Sequence, residues 1–409
     1  MADKDKTGFS ELAKQASLQP QEMLAEVKKG EQSTSIGVPK ETTYQENRVT
    51  LTPSSVELLV NNGLEVTIEA NAGKGANFAD RQYSEAGAKI AYDRAEVYRN
   101  SDIILKVDPP VSEEIELMKP NQLLISALQL ANLKEDYIKQ LIKKKVNAMA
   151  YEFYRDASGS IPIIRSISEI AGSTAILIAA EYLASSSGGK GEMLGGISGI
   201  PPTEVVIIGA GTVGEFACRA ALGLGASVKV FDNSLYKLRR LQNNIGERIF
   251  TSVIQPNILL KALKIADVAV GALRSDSGVG ACVVTEEMVM GMKPGSVIVD
   301  VSIDRGGCFE TSESTTHTSP TFRKHDVIHY CVPNISSRVA RTASYALSNV
   351  LAPLILQIAE SGGVDRYVWD RPAVRSGIYV YKGQLTNKHI AARLNLQYKS
   401  IDLLMGGHF

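Results

Sequence analysis

Four cysteines, one tryptophan and five histidines are a small stock of reactive and aromatic side chains for a chain of 409 residues. Cys218, Cys282, Cys308 and Cys331 lie too far apart for the paired spacings of a zinc or dithiol centre. No metal site is therefore expected, and the thiols read as inert groups of a reducing compartment. An excess of either charge is also missing, since 44 Lys and Arg balance 44 Asp and Glu. Proteins that neutralise phosphate backbones carry a basic excess, so nucleic acid is not an expected partner. The amino terminus, MADKDKTGFSELAKQASLQPQEML, lacks the unbroken apolar core of a secretory signal. The longest apolar stretch, IAGSTAILIAAEYLA, is interrupted by Ser173, Thr174 and Glu181 and falls short of the ~20 apolar residues of a membrane span. A cytoplasmic protein with no membrane partner is the resulting expectation.

What is present is an alternation. The chain exceeds the roughly 250 to 300 residues that one core usually organises, so two domains are expected. Residues 1–34 form a polar extension with a weak amphipathic pattern around Phe9 to Val27. From Ser35 onward, SIGVP, LEVTIEA, DIILKV, LLISAL and NAMAYE read as strands separated by helical segments such as SSVELLVNNG and KEDYIKQLIKK. A helix is expected from about Ser166 to Ala184, followed by the Gly- and Ser-rich loop SSSGGKGEMLGGISGIPP. A second alternating set begins at Glu204. After Cys331, RVARTASYALSNVLAPLILQIAES is a long helical stretch suited to return the chain to the first unit. Such alternation predicts an α/β fold with two Rossmann-like, doubly wound domains facing across a cleft.

The run VVIIGAGTVG carries the clearest chemistry. Gly209, Gly211 and Gly214 supply a tight turn, close backbone approach to a pyrophosphate, and close packing of helix on sheet. Thr212 and Val213, between the glycines, open the helix whose free N–H groups point at the phosphates. About twenty residues later SVKVFD ends in Asp232, where the ribose 2′-hydroxyl of a dinucleotide sits; an acidic group there repels a 2′-phosphate and favours NAD over NADP. The structural alternative for Asp232 is a cap on the helix LYKLRRL. Asp304 follows the strand-like PGSVIVDVSI, near where a nicotinamide would lie, with capping of the turn into RGG as its alternative.

SIGVPKETTYQENRVTLTP, DIILKVDPP, GGKGEMLGG, GAGTVG, MKPGSVIVDVSIDRGGCFE, and HYCVPN with ARTASYALSN occur in this order. Together they resemble the alanine dehydrogenase and pyridine nucleotide transhydrogenase family, over about residues 35–390. The resemblance implies a substrate domain formed by residues 35–163 and 342–409, and an NAD domain formed by 164–341. It also implies that Arg48 binds the substrate carboxylate, that Lys106 contacts the substrate carbonyl oxygen, and that Asp304 lies beside nicotinamide and substrate. The Ser168 region and the Asn334 loop are implied to contact cofactor. The chemistry suits these types: a guanidinium grips a carboxylate with two parallel hydrogen bonds, and an ammonium stabilises a developing oxyanion. A homo-oligomer, commonly a hexamer, is also implied.

One position departs from the family pattern. Alanine dehydrogenases carry a histidine that acts as general acid and base in the motif matching LISALQLANL, and this chain has Gln129. Glutamine donates and accepts hydrogen bonds but does not exchange a proton near neutral pH. His317, His325, His329, His389 and His408 lie elsewhere in the sequence and read mostly as surface residues. Either Asp304 or Lys106 takes over proton transfer, aided by a water held by Gln129, or the site has drifted toward another role. The transhydrogenase component also has a glutamine in this region. RSISEIAG, however, lacks the glutamine and aspartate characteristic of its loop. The expected function is reversible NAD-dependent oxidative deamination of L-alanine to pyruvate and ammonia. The alternatives are another amino-acid or imino-acid dehydrogenase, or a transhydrogenase-like NAD(H)-binding component.

Overall fold

The computed structural model describes residues 34–130, 133–156, 158–274 and 282–406. The helix expected around Phe9 to Val27 and His408 lie outside the described residues.

Among the described residues, fifteen strands divide into two sheets. The first contains β1 (Ser35–Val38), β2 (Glu65–Glu69), β3 (Lys89–Ala91), β4 (Ile103–Leu105), β5 (Leu123–Ser126), β6 (Asn147–Ala150), β14 (Ile378–Tyr381) and β15 (Gln384–Leu385). Its order is β15-β14-β6-β5-β4-β1-β2-β3. The second contains β7 (Glu204–Ile208), β8 (Ser227–Phe231), β9 (Phe250–Ser252), β10 (Val268–Gly271), β11 (Val297–Asp300), β12 (Thr321–Lys324) and β13 (Val327–Tyr330), in the order β12-β13-β11-β10-β7-β8-β9. Strands β4, β5, β6, β10 and β11 are buried along their whole length, as expected of sheet strands covered on both faces. Both sheets are mixed: β14 runs antiparallel to β6 and β15, and β12 antiparallel to β13.

Each sheet has one place where strand order reverses. In the first it lies between β1 and β4, and in the second between β7 and β10. A crevice opens beyond the carboxyl ends of the strands at such a point, and ligands of open α/β sheets bind there. The loop carrying Arg48 follows β1, the one carrying Lys106 follows β4, and the GAGTVG turn follows β7.

Two long helices join the units. Helix Pro162–Leu183 starts four residues before the expected position. It buries Ile163 in the first core, and Ala171, Ala175, Ile176, Ala179 and Leu183 in the second. Helix Ala340–Glu360 returns the chain and buries Leu347, Leu351, Leu354, Ile355 and Ile358 in the first core. By length and composition alone, Pro162–Leu183 and Ile335–Glu360 are long and apolar enough for a membrane span. This corrects the reading that no stretch approaches one; about half of each apolar window is packed inside the protein. Cys218, Cys308 and Cys331 are buried, and burial pushes their thiols up to about 12.

Candidate active site

The glycine turn after β7 is a close-packed piece of backbone. At Gly214 a Cβ would stand 1.8 Å from the Gly209 carbonyl oxygen, inside the range real carbons never occupy. At Gly211 the opposite holds: a Cβ would find no protein atom within 4 Å, so the missing side chain leaves open space at the helix start. Helix Thr212–Gly223 begins at Gly211 with no side-chain cap, leaving the first N–H groups, including those of Thr212 and Val213, without a capping side chain. Anions are stabilised at such an end. The turn therefore fits the pyrophosphate of a dinucleotide.

Asp232 directly follows β8 and is buried beside this turn. Its Oδ2 accepts the Ala210 N–H at 2.8 Å and its Oδ1 the Ser234 N–H at 2.7 Å. The following helix, Leu235–Ile245, is capped by Ser234, which accepts from the Lys237 N–H. Ser168 lies on Pro162–Leu183, four residues before Gly172 and so on the same helix face. Gly172 is where that helix meets the glycine turn, since a Cβ there would stand 2.3 Å from the Val213 carbonyl oxygen.

In the first unit, Arg48 is 7% exposed and forms a two-pronged pair with Glu46: Nε to Oε1 at 2.7 Å and Nη2 to Oε2 at 2.5 Å. Its Nη1 donates to Ser336 Oγ at 3.1 Å, across from the second unit. Asn334 Nδ2 donates to Glu46 Oε2 at 2.6 Å. Arg48 and Asn334 therefore meet through one carboxylate. A guanidinium has five N–H donors; with three engaged, two remain. Burial opposes the charges of Arg48 and Glu46, but their mutual attraction outweighs it, raising the guanidinium and lowering the carboxyl.

The segment that carries Arg48 is held by serines. Ser337 Oγ accepts the Asn47 N–H at 2.9 Å and donates to the Gln45 carbonyl at 2.8 Å. Ser344 Oγ accepts from Val49 N–H and Ser348 Oγ from Thr52 N–H, at 2.9 and 3.0 Å. Spaced four apart, Ser344 and Ser348 share one face of their helix, and they satisfy buried backbone that no strand pairs with. His317 joins the same seam, its N–H donating to Gln45 Oε1 at 2.7 Å.

Lys106 is completely enclosed. Its Nζ lies 3.0 Å from Glu41 Oε2 and 3.1 Å from Glu114 Oε1. Burial disfavours the ammonium, yet the two carboxylates more than compensate and raise it. Glu41 also accepts the Val107 N–H at 2.6 Å, and desolvation lifts its carboxyl to about 7 against the pull of Lys106. Two residues on, Asp108 is buried and accepts from Gln129 Nε2 at 2.8 Å. Asp304 sits in the short turn Ile303–Arg305 after β11. Its side chain is 54% exposed, 3.8 Å from Arg305 Nε, and desolvation by the surrounding protein raises its carboxyl. Among the described residues it is not paired with Arg48, Lys106 or Gln129. The turn itself is fixed by buried Asp300, which accepts from Ser302 N, Cys308 N and Ser312 Oγ.

Glu41, Glu46, Asp108, Glu152 and Ser336 were missed as site residues. The acidic residues of PKETTYQENR, two and seven positions from Arg48, were a legible sign of an ion pair; Ser336 had none. The surface expectation for histidines needs correction at His329, which is fully buried, stacks on Phe322 and bonds Thr311.

Known proteins resemble this chain over most of its length. Residues 37–171 match the family model described as alanine dehydrogenase/PNT, N-terminal domain, and residues 175–388 match its C-terminal domain. An alanine dehydrogenase of Methanococcus maripaludis is 42% identical over 364 residues, spanning 89% of this chain and 97% of that protein. Alanine dehydrogenase 2 of Staphylococcus aureus is 39% identical over 368 residues, spanning 90% and 98%. Among solved structures, an L-alanine dehydrogenase superposes with a TM-score of 0.82 at 36% identity, covering 88% of this chain and 98% of that one. A transhydrogenase from Sinorhizobium meliloti shares the fold at a TM-score of 0.75 and 23% identity, covering 87% and 99%. The chain belongs to the alanine dehydrogenase/PNT family.

Proposed function

We propose that this protein catalyses the reversible, NAD-dependent oxidative deamination of L-alanine to pyruvate and ammonia. One observation carries the reading. Arg48, at the switch point of the first sheet, is oriented by Glu46 with two donors left over, and the same Glu46 is tied to Asn334 of the unit that holds the glycine turn. A carboxylate-binding fork is thereby linked to the candidate dinucleotide-binding unit. Relatives about 40% identical over nearly their whole length are alanine dehydrogenases.

NAD bound here would supply the acceptor for hydride from the α-carbon of the substrate. The Gly209–Gly214 turn, Asp232, Ser168 and Asn334 are the residues assigned to hold it. Arg48 grips the substrate carboxylate with its two remaining donors, and Glu46 prevents the guanidinium plane from turning. Lys106, whose ammonium is held between Glu41 and Glu114, is assigned to stabilise charge as it develops on the substrate oxygen. Asp304, on the rim of the second sheet, orients ammonia or water. The protein is read as a cytoplasmic homo-oligomer, for which light scattering of the purified chain is the direct check.

NADH consumption with ammonium and a panel of 2-oxo acids tests the function. Turnover that is greatest with pyruvate supports it. Preference for a larger oxo acid makes this a different amino-acid dehydrogenase. Tight NADH binding with no turnover of any oxo acid favours the transhydrogenase-like component.

A further inference from the structure

The resemblance to alanine dehydrogenases implies a proton-exchanging histidine at the end of β5, and this chain has Gln129 there. The structure supplies a titratable group to the same place from the neighbouring strand. Asp108, on the loop after β4, is 5% exposed, and its Oδ1 accepts from Gln129 Nε2 at 2.8 Å. Gln129 is held for this contact. Its backbone is left-handed (φ 50°), a conformation uncommon for a residue with a Cβ. The Glu152 carboxylate pins the turn by accepting the N–H groups of both Leu128 and Gln129 at 2.8 to 2.9 Å. An amide merely filling the histidine's space would need neither the turn nor a buried acid as its partner.

We propose that Asp108, oriented by Gln129, is the proton acceptor and donor for hydration of the imine in this site. The proposal rests on the amino-acid dehydrogenase reading above. Once hydride has left the α-carbon, that carbon and its nitrogen form an iminium. Water adds to the carbon: the new C–O bond forms, the C=N π pair moves to nitrogen, and the water proton passes to the Asp108 carboxylate. Asp108 then returns that proton to the nitrogen. The C–N bond breaks with its electron pair leaving on ammonia, the hydroxyl O–H pair closes the C=O bond, and the hydroxyl proton goes to Asp108. Transfer of that proton to ammonia gives ammonium and restores the carboxylate.

The surroundings suit the task. Glu41, Glu46 and Arg48 face Asp108 from the loop after β1, and Tyr151 and Glu152 from the end of β6. Desolvation and Glu46 push the Asp108 carboxyl above the usual range, while Arg48 and hydrogen bonds from Thr43 and Gln129 hold it back. An acid so placed exchanges its proton closer to neutral pH than a surface aspartate.

The test compares the pH dependence of alanine deamination in wild-type protein, D108N, D108E and Q129M, with NADH binding by fluorescence as the check on folding. Because the carboxylate form accepts the proton, wild-type kcat falls as pH drops through the Asp108 pKa. D108N should bind NADH normally, lose about a hundredfold or more in kcat, and lose this acidic limb; D108E should recover part of the rate. Q129M removes a hydrogen bond to the charged form, so the limb should move to higher pH by about one unit or more. That shift is not expected if Gln129 only props the loop, and it keeps the proposal testable should D108N fail to fold. A D108N enzyme that keeps its rate and its limb overturns the assignment, as does a limb that survives in D108N and vanishes in H317N. Wild-type protein without turnover removes the dehydrogenase reading itself, and this proposal with it.

Discussion

Two glycines three residues apart in the GAGTVG turn should respond to the same substitution in opposite ways. Gly211 has φ −75°, which alanine adopts freely, and a Cβ there meets no protein atom within 4 Å. Replacing a glycine N-cap by alanine costs roughly 1 kcal/mol, whereas reduced freedom of the unfolded chain returns about 0.4–1 kcal/mol. The two nearly cancel, so Gly211→Ala should leave the melting temperature almost unchanged. The added methyl, however, occupies the space where a pyrophosphate approaches the helix start, and NADH affinity should fall at least tenfold, about 1.4 kcal/mol. At Gly214 the Cβ would stand 1.8 Å from a backbone oxygen, and no flexible side chain is there to yield. Helix and turn must separate by over 1 Å to relieve it. Overpacking of this kind costs about 1–3 kcal/mol or more. Gly214→Ala should therefore lose both stability, by several degrees in melting temperature, and NADH binding. Fluorescence titration of NADH and thermal unfolding, run on both variants, provide the readouts. A Gly211→Ala protein that binds NADH as tightly as wild type would refute the cofactor cradle, whatever Gly214→Ala does.

Three other substitutions probe separate parts of the site. Arg48→Lys keeps a cation but loses the fork, and kcat/KM for pyruvate should fall at least tenfold; Arg48→Ala also strands buried Glu46, at a cost in stability of about 3–5 kcal/mol visible in denaturant unfolding. Asp232→Asn should relax the preference for NAD over NADP, and an unchanged ratio of the two kcat/KM values would contradict the ribose assignment. Glu41 has a folded-state pKa of about 7 against 4.5 when unfolded, so between these values the folded protein binds the extra proton and stability falls as pH rises. Glu41→Gln should flatten that slope, measured as melting temperature from pH 4.5 to 7, and an unaltered slope would place its origin elsewhere.

Much of this was legible because local chemistry repeats. Apolar β-branched runs such as SIGVP, DIILKV and EVVIIGA became β1, β4 and β7, and the break of each run marked the strand end at which site residues emerge. Strands β3, β9 and β12 escaped notice because their residues mix polar with apolar types and are partly exposed, unlike the equally short but fully buried β4. The antiparallel strand β14, which lies between β6 and the edge strand β15, was also missed, although IYVY contains two strand-favouring aromatics. The site divides in the same way. GAGTVG and Asp232 are separated by about one βαβ unit, so their proximity follows from the fold class. Asn334 and Glu46 are 288 residues apart, and Asp108 and Gln129 are 21 apart, in the loops after different strands. Such pairs depend on how two units close and how neighbouring strands register, which no local pattern states. The serines that hold the Arg48 segment were likewise unreadable, since serine on a helix is ordinary until a buried backbone lies against it.

This chain is proposed to turn over an amino acid although Gln129 stands where the resemblance to alanine dehydrogenases implies histidine. The most direct test of that proposal is the steady-state rate of NADH oxidation by purified protein supplied with pyruvate and ammonium, against the same mixture without ammonium. Ammonium-dependent turnover is expected, with L-alanine as the product. Saturable NADH binding with no oxidation under any combination of oxo acid, ammonium and pH would contradict it.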